Sequence, residues 1–203
     1  MTVTLEQIKE LRKRTGVGIQ QVKEALESSK GDTEKAILYL REKGIAKAAR
    51  RAGRSADNGF IAHYIHGDGH VGVLLELNSE TDFAARNARF RELAHDLALH
   101  VAAASPEHIS IENISAEKLE EEKKVYKKDL AGKPEQVQEK ILEGKLTKFY
   151  EEVVLLEQPF VKDDSKKVKD VLNEAIAAIG EKIEIGRFVR FEIAGPSSCS
   201  GLN

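Results

Sequence analysis

The chain has 203 residues, 41% of them hydrophobic and 33% charged, a composition typical of a soluble protein with one ordinary domain and a small satellite. A net charge of −2 and the lack of tryptophan argue against nucleic acid as a direct partner, because phosphate binding needs clustered positive charge and base stacking needs aromatic rings. No apolar run nears the roughly 18 residues that span a bilayer, no signal segment opens the chain, and the single Cys199 excludes an internal disulfide, so we expect a cytoplasmic protein without a membrane partner.

The first 45 residues predict three short helices that share one small core. A capping box at Thr4 opens the first helix, and "TGVG" at 15–18 interrupts the helical pattern. After a second amphipathic helix, Asp32 caps a third, which we expect to end at Gly44. Residues 1–45 are therefore predicted to form a compact three-helix domain.

A basic segment, residues 46–58, follows with Lys47, Arg50, Arg51 and Arg54 on an alanine-rich background. One interpretation is a binding patch for RNA or for an acidic partner. The other is a solvated linker helix, which we favour because charge runs usually face water. A steep loss of RNA affinity with added salt would favour the first interpretation.

Residues 59–194 predict a core domain that begins with a β-hairpin. Two apolar runs flank Gly67-Asp68-Gly69, and Asp-Gly is a strong signal for a tight turn. Apolar residues at three- and four-residue steps from Phe90 to Val101 then predict a helix. Three more helices are predicted at about 115–131, 134–157 and 165–179, with Gly144 interrupting the second.

A final strand completes the predicted core. Its alternation places five apolar side chains on one face, with Arg187 as the exception: Ile183, Ile185, Val189, Phe191 and Ile193. A hairpin, several helices and a returning strand indicate an α+β fold, with a small antiparallel sheet of about three strands covered by helices. The Ser/Gly-rich tail, residues 195–203, is expected to be disordered and is a candidate for a cloning remnant.

The sequence predicts no catalytic residue, no metal site and no cofactor. It contains neither a nucleophile elbow nor a phosphate-binding loop. Glu92, Asp96 and His100 share one helix face and are the best candidate metal ligands, but an exposed charge ladder is the favoured interpretation. A metal-dependent enzyme would need stoichiometric metal in the purified protein.

Phe83 raises a separate question, because it stands among polar residues in "SETDFAARN", directly after an apolar run. Composition alone favours the core for this ring, since most phenylalanine side chains are largely buried. The alternative is that the ring is offered to a partner.

Four segments resemble signatures of one family, elongation factor Ts of bacteria and organelles. They are "LRKRTGVGIQQVKEAL" (11–26), "VGVLLELNSETDFAARN" (71–87), "KFYEEVVLLEQPFVKDD" (148–164) and "GRFVRFEIAG" (186–195). The similarity covers nearly the whole chain outside the tail, in the family's order and spacing. Neither the RNA-binding nor the metal-enzyme hypothesis explains the four segments.

The resemblance implies a guanine-nucleotide exchange factor that binds elongation factor Tu in its GDP form and acts without bond chemistry. The three-helix domain, similar to ubiquitin-associated domains, is then expected to dock on the GTPase domain. It would do so through the docking knuckle, which we define as Leu11, Val17, Gly18 and Ile19. His66 lies in a hairpin that family members also bring to the partner.

The resemblance further implies that the turn formed by Thr81, Asp82, Phe83 and Ala84 displaces the partner's Mg²⁺ and promotes GDP release. Asp82 is expected to bind partner groups, with a helix-capping role as the alternative. Two positions depart from the family pattern. Ala84 replaces the usual valine, and Gln20 replaces a residue that is often apolar.

The chain resembles the short form of the family, which lacks an extra core repeat and a coiled-coil insertion. A single core offers less surface to one partner. We therefore hypothesise a homodimer that pairs the sheets or their edges.

Overall fold

A computed structural model of the chain describes residues 3–128 and 134–193. The predicted tail, 195–203, and the predicted end of a helix near residue 131 lie outside these residues. The helices are α1 (Leu5–Thr15), α2 (Ile19–Ser28), α3 (Thr33–Arg51), α4 (Asp82–Arg86), α5 (Ala88–Ala104), α6 (Ala116–Lys128), α7 (Glu135–Val153) and α8 (Val168–Ile179). The strands are β1 (Asn58–His66), β2 (Val71–Ser79), β3 (Pro159–Phe160), β4 (Asp163–Lys167) and β5 (Ile183–Glu192).

The predicted α+β class and three-stranded antiparallel sheet are confirmed. The main sheet has the order β1-β2-β5, and helices cover it. The predicted hairpin is present, with Gly67 and Gly69 both at positive φ in its turn. Among the residues that the structure describes, no helix is long and apolar enough to cross a membrane. The described part of the chain divides into two compact units.

The first unit comprises residues 3–63, 74–96 and 170–189. Its three N-terminal helices share a small core, as predicted, built on Leu11, Val17, Val22, Leu26 and Leu40. The predicted capping box at Thr4 and the cap at Asp32 are both present. The sheet and the helices that follow contribute further buried side chains: Leu75, Leu77, Phe90, Ile176, Ile183 and Ile185.

The predicted end of the third helix at Gly44 is wrong, because α3 continues to Arg51. Gly44 does not cap the helix but permits close packing. A Cβ built at this position would lie 3.2 Å from the Cβ of Ala177 on α8. The first part of the basic segment is consequently helical.

The second unit comprises residues 64–73, 97–128, 134–169 and 190–193. Its small core contains Ile114, Phe149 and Val154. Helix α7 passes through Gly144 without interruption and ends at Val153, before a short 3₁₀ turn. The helix predicted from residue 165 starts instead at Val168, because the preceding residues form strand β4, which pairs antiparallel with β3.

Strand β5 also departs from the prediction. Its alternation of buried and exposed side chains changes phase at Gly186 and Arg187, which are both exposed. Ile183 and Ile185 are therefore buried, whereas Val189 and Phe191 are exposed.

Candidate functional site

Phe83 lies at the surface, on the short helix α4 that follows strand β2. Its exposed fraction is 80%, whereas Phe90 on the next helix is fully buried. The preference for the core that composition suggested is therefore wrong. The ring is the most exposed large apolar side chain among the described residues.

The turn that carries Phe83 is ordered by local hydrogen bonds. Thr81 is the N-cap of α4, and its Oγ1 accepts a hydrogen bond from the Ala84 N–H at 3.3 Å. The buried Ser79 hydroxyl donates to the Thr81 carbonyl oxygen at 2.9 Å. A capped turn of this kind restricts the direction in which the next side chains project.

Asp82 is the first residue of α4 and does not cap it, since Thr81 fills that role. Its carboxylate forms an exposed ion pair with Arg86 at 3.0 Å, one turn later in the helix. Exposed pairs of this type contribute little to stability. The carboxylate of Asp82 is therefore accessible to partner groups.

Ala84 faces the interior and is almost fully buried. The methyl group of Ala84 therefore contributes to packing beneath the turn and not to the exposed surface of the turn.

Glu181 binds the turn from the connection between α8 and β5. Its carboxylate accepts hydrogen bonds from the Thr81 N–H at 3.0 Å and from the Thr81 hydroxyl at 2.7 Å. Both oxygens of one carboxylate are thus used on a single turn residue.

Glu80 makes a second set of contacts beside the turn. It accepts a hydrogen bond from the Lys182 N–H at 2.6 Å and pairs with Arg54 at 2.9 Å and Arg51 at 2.8 Å. The Lys182 amide, followed by the two guanidinium groups, lowers the pKa of Glu80 from 4.5 to about 2. The carboxylate is therefore ionised at neutral pH.

The docking knuckle divides into a buried and an exposed part. Leu11 and Val17 lie in the core of the three-helix domain, whereas Gly18 and Ile19 are exposed, Ile19 by 54%. Gln20 is exposed beside them. Of the four residues of the docking knuckle, only Gly18 and Ile19 therefore lie at the surface, and Leu11 and Val17 are buried.

His66 lies in the second unit, at the end of β1, and is exposed. Its ring stacks on Tyr64, with ring centroids 6.0 Å apart, and its Nδ1 lies 3.1 Å from the Tyr64 hydroxyl oxygen. The Thr81–Ala84 turn and the docking knuckle both belong to the first unit.

The candidate metal ligands do not form a site. In the two described ranges, no group of three His, Cys, Asp or Glu residues could hold a metal ion. His100 is buried and does not belong to an exposed ladder, so that interpretation is wrong for this residue. Its Nε2 lies 2.9 Å from the Gln158 Oε1, and its Nδ1 accepts a hydrogen bond from the Val161 N–H at 3.2 Å.

The basic segment is partly neutralised, which weakens the RNA-binding hypothesis. Of its four cations, Arg51 and Arg54 are paired with Glu80. Two remaining cations, Lys47 and Arg50, are too few for a counterion-driven phosphate surface.

Sequence reasoning missed Glu80 and Glu181, although both contact the candidate site. Glu80 stands inside the "NSETDF" segment, next to the turn, and its proximity was the available signal. Glu181 lies 100 residues away from Thr81, and no local pattern marks it.

Comparison with known proteins gives one consistent result. A family model described as "Elongation factor TS" matches residues 6–195. Elongation factor Ts of Acetivibrio thermocellus is 55% identical over 192 residues, which cover 94% of this chain and 89% of the relative. The proteins of the same name from Thermodesulfovibrio yellowstonii and Thermotoga neapolitana are 52% and 50% identical, and the alignments cover 95% of this chain and 97% and 98% of the relatives.

Proposed function

The chain belongs to the elongation factor Ts family, and on that premise we propose that it is a guanine-nucleotide exchange factor for elongation factor Tu. It binds the GDP form of the GTPase and promotes GDP release during translation elongation, in the cytoplasm. The factor acts by binding alone, without bond chemistry and without a cofactor of its own.

The exposed Phe83 ring on its capped turn is the single observation that carries this mechanism. We infer that the ring inserts between partner helices near the magnesium site. Mg²⁺ requires near-ideal octahedral geometry, so a shift of about 1 Å in the elements that support it loses coordination. Because bound GDP depends on that ion, the displaced arrangement has a lower nucleotide affinity. Asp82, exposed beside the ring, is available to bind partner groups.

Thermodynamic linkage then explains how the factor leaves. If the factor lowers nucleotide affinity by some ratio, the nucleotide lowers factor affinity by the same ratio. The arrival of GTP therefore releases the factor, and no energy source is needed besides the nucleotide itself.

We assign Gly18 and Ile19 to the contact of the three-helix domain with the GTPase. Their exposure fits a partner surface, and the buried Leu11 and Val17 hold them in place. His66 is the proposed contact from the second unit, since its ring is exposed on the hairpin.

Replacing Phe83 with alanine tests the proposal directly. The ring is exposed, so Phe83→Ala should leave the thermal unfolding transition unchanged while release of labelled GDP from elongation factor Tu slows by at least about tenfold, as expected for loss of a buried aromatic anchor. Val125→Ala, which shortens an exposed apolar side chain on α6, is the matched control and should release GDP at the parent rate. Equal rates for Phe83→Ala and the parent would show that the ring is not the displacing group.

We also propose a homodimer that forms through the open face of the sheet. Within the first unit, Ile61 and Leu74 are exposed by 59% and 49% and line a concave surface with Phe188 and Val189. Exposed apolar surface of this kind is typical of an interface. Sedimentation at micromolar concentration should give a species of twice the chain mass, and a single 22.5 kDa species would exclude the dimer.

A further inference from the structure

Glu80 and Glu181 flank the exposed turn but are themselves partly buried. Neither carboxylate is presented to a partner as Phe83 is. Each carboxylate instead forms hydrogen bonds or ion pairs with neighbouring groups of the same unit. Their contacts indicate what they do for the ring.

Glu181 restrains the residue from which helix α4 starts. It binds both the N–H and the hydroxyl of Thr81, and that hydroxyl in turn accepts the Ala84 N–H. The chain of contacts runs from Glu181 through Thr81 to Ala84, on both sides of Phe83. The direction of the phenyl ring therefore depends on the Glu181 carboxylate. Hydrogen bonds to a charged acceptor are about twice as strong as neutral ones.

Glu80 ties the same turn to the three-helix domain. Arg51 and Arg54, at and just beyond the end of α3, pair with opposite oxygens of its carboxylate. The Lys182 ammonium also donates to the Arg54 carbonyl oxygen at 2.8 Å. The end of α3 and the turn are thereby held together through three separate contacts with Glu80 and Lys182.

A second connection joins the start of α5, just after the turn, to the end of α1, next to the docking knuckle. Arg89, at the start of α5, donates to the Thr15 carbonyl oxygen at 2.8 Å. Its guanidinium occupies the space beside Gly16, where an added Cβ would lie 1.1 Å from Nη1. Gly16 has a φ of 66°, so the close approach and the backbone both require glycine.

We propose that Glu80 and Glu181 form a carboxylate clamp that positions Phe83 for nucleotide exchange. This inference rests on the proposed function. A ring on a yielding turn would adapt to the partner, whereas a ring on a rigid turn forces the partner helices to move. A rigid turn makes the partner helices move when the ring makes contact, because the turn is already ordered in the free protein and loses no further conformational entropy on binding. The clamp therefore acts on the rate of GDP release at saturation more than on binding of the factor.

The first test is the dependence of GDP release on factor concentration. Glu181→Ala should lower the maximum release rate from elongation factor Tu by about tenfold, the effect expected for losing a hydrogen bond to a charged group, while the half-saturating concentration changes less than threefold. Glu181→Gln keeps one acceptor oxygen and should recover part of the rate. Glu120→Ala is the control, because that carboxylate forms an exposed ion pair with Lys123 on α6 at 2.8 Å, makes no contact with the turn and should leave the rate unchanged.

The second test needs no partner. Hydrogen–deuterium exchange of the amides from Thr81 to Arg86 should speed up by about tenfold in Glu181→Ala, with amides of α1 and α2 unchanged. Unchanged exchange in this segment would overturn the clamp. So would a maximum release rate equal to that of the parent. A parent protein that fails to accelerate GDP release would refute the proposed function, and the exchange measurement would still decide whether the clamp holds the turn.

Discussion

At the scale of single residues, Phe83 and Phe90 lie on consecutive helices in opposite environments. Phe90 faces the interior of the first unit and is fully buried, whereas Phe83 projects into solvent. Exposing an aromatic ring forfeits about 1.5–3 kcal/mol of burial free energy, which burial of the ring against a partner would recover. The cap at Thr81 and the contacts of Glu181 hold it in that position.

The residue beside this turn, Glu80, has the most strongly lowered pKa that the structure indicates. One backbone amide and two guanidinium groups stabilise its charged form. Since folding lowers the pKa from 4.5 to about 2, the carboxylate contributes fully to stability above pH 4.5. That contribution is lost progressively as the pH falls from 4.5 towards 2.

Replacing Glu80 with glutamine should therefore lower stability in a pH-dependent way. The urea midpoint of Glu80→Gln should lie below that of the parent at pH 7, and the difference should shrink as the pH falls below 4.5. Glu34→Gln is the control, because its exposed pair with Arg14 should contribute almost nothing at any pH. A difference between Glu80→Gln and the parent that stayed constant from pH 7 to pH 3 would contradict the assigned pKa.

At the scale of elements, two mid-helix glycines have different reasons to be there. Gly44 lies in α3 against Ala177 of α8, whereas a Cβ at Gly144 in α7 would meet nothing within 4 Å. The sequence alone does not distinguish them, since a glycine in a helical pattern predicts either a helix end or a destabilised helix. The helix α3 continues past Gly44 because the glycine permits close packing with α8.

Valine at Gly44 and alanine at Gly144 should accordingly shift stability in opposite directions. Gly44→Val should lower the free energy of unfolding by about 1–3 kcal/mol, because the added methyl groups overpack the contact with α8. Gly144→Ala should raise it by about 0.5–1 kcal/mol, because alanine restricts the unfolded chain and loses nothing in the helix. Urea unfolding of both variants measures the two changes. A stabilised Gly44→Val would show that α3 and α8 are not in close contact.

Elements were predictable where one local signal determined them. The β1–β2 hairpin followed from Asp-Gly between alternating apolar residues, and α5 followed from its apolar period. Strands β3 and β4 were missed because their residues are few and largely polar, so no alternation was visible. The phase change in β5 was missed because the apolar residues keep their spacing in sequence while the exposure pattern shifts at Gly186 and Arg187.

The candidate site was only partly predictable, because local sequence patterns do not reveal most of its contacts. Phe83 could be assigned only by resemblance, because the ring has no local pattern that separates a buried from an exposed position. The hydrogen bonds of Glu181 with Thr81 join residues 100 positions apart, and those of Glu80 with Lys182 join residues 102 apart. Contacts of this range are set by tertiary packing, which one sequence without an alignment does not reveal.

At the scale of the whole molecule, the proposed contacts have two different roles: one set determines the affinity for the GTPase, and the other promotes nucleotide exchange. Ile19, in the three-helix domain, would contact the GTPase equally in its GDP-bound and nucleotide-free forms. Phe83 would contact the displaced arrangement only. An interaction that is made equally with both forms of the GTPase changes the affinity of the factor for both forms by the same factor. An interaction that is made with one form only changes the ratio of the two affinities.

This division predicts two different effects on binding to elongation factor Tu. Ile19→Ala should weaken binding to nucleotide-free and GDP-bound Tu by the same factor. The dissociation constant for GDP-bound Tu divided by that for nucleotide-free Tu should therefore stay within about twofold of the parent ratio. Phe83→Ala should instead reduce that ratio by about tenfold, since the ring favours only the nucleotide-free arrangement. Titration calorimetry of the parent and both variants with the two forms of Tu measures the six dissociation constants. If Ile19→Ala changed the ratio as much as Phe83→Ala does, docking and displacement would belong to one contact, because a purely docking residue cannot distinguish the two states.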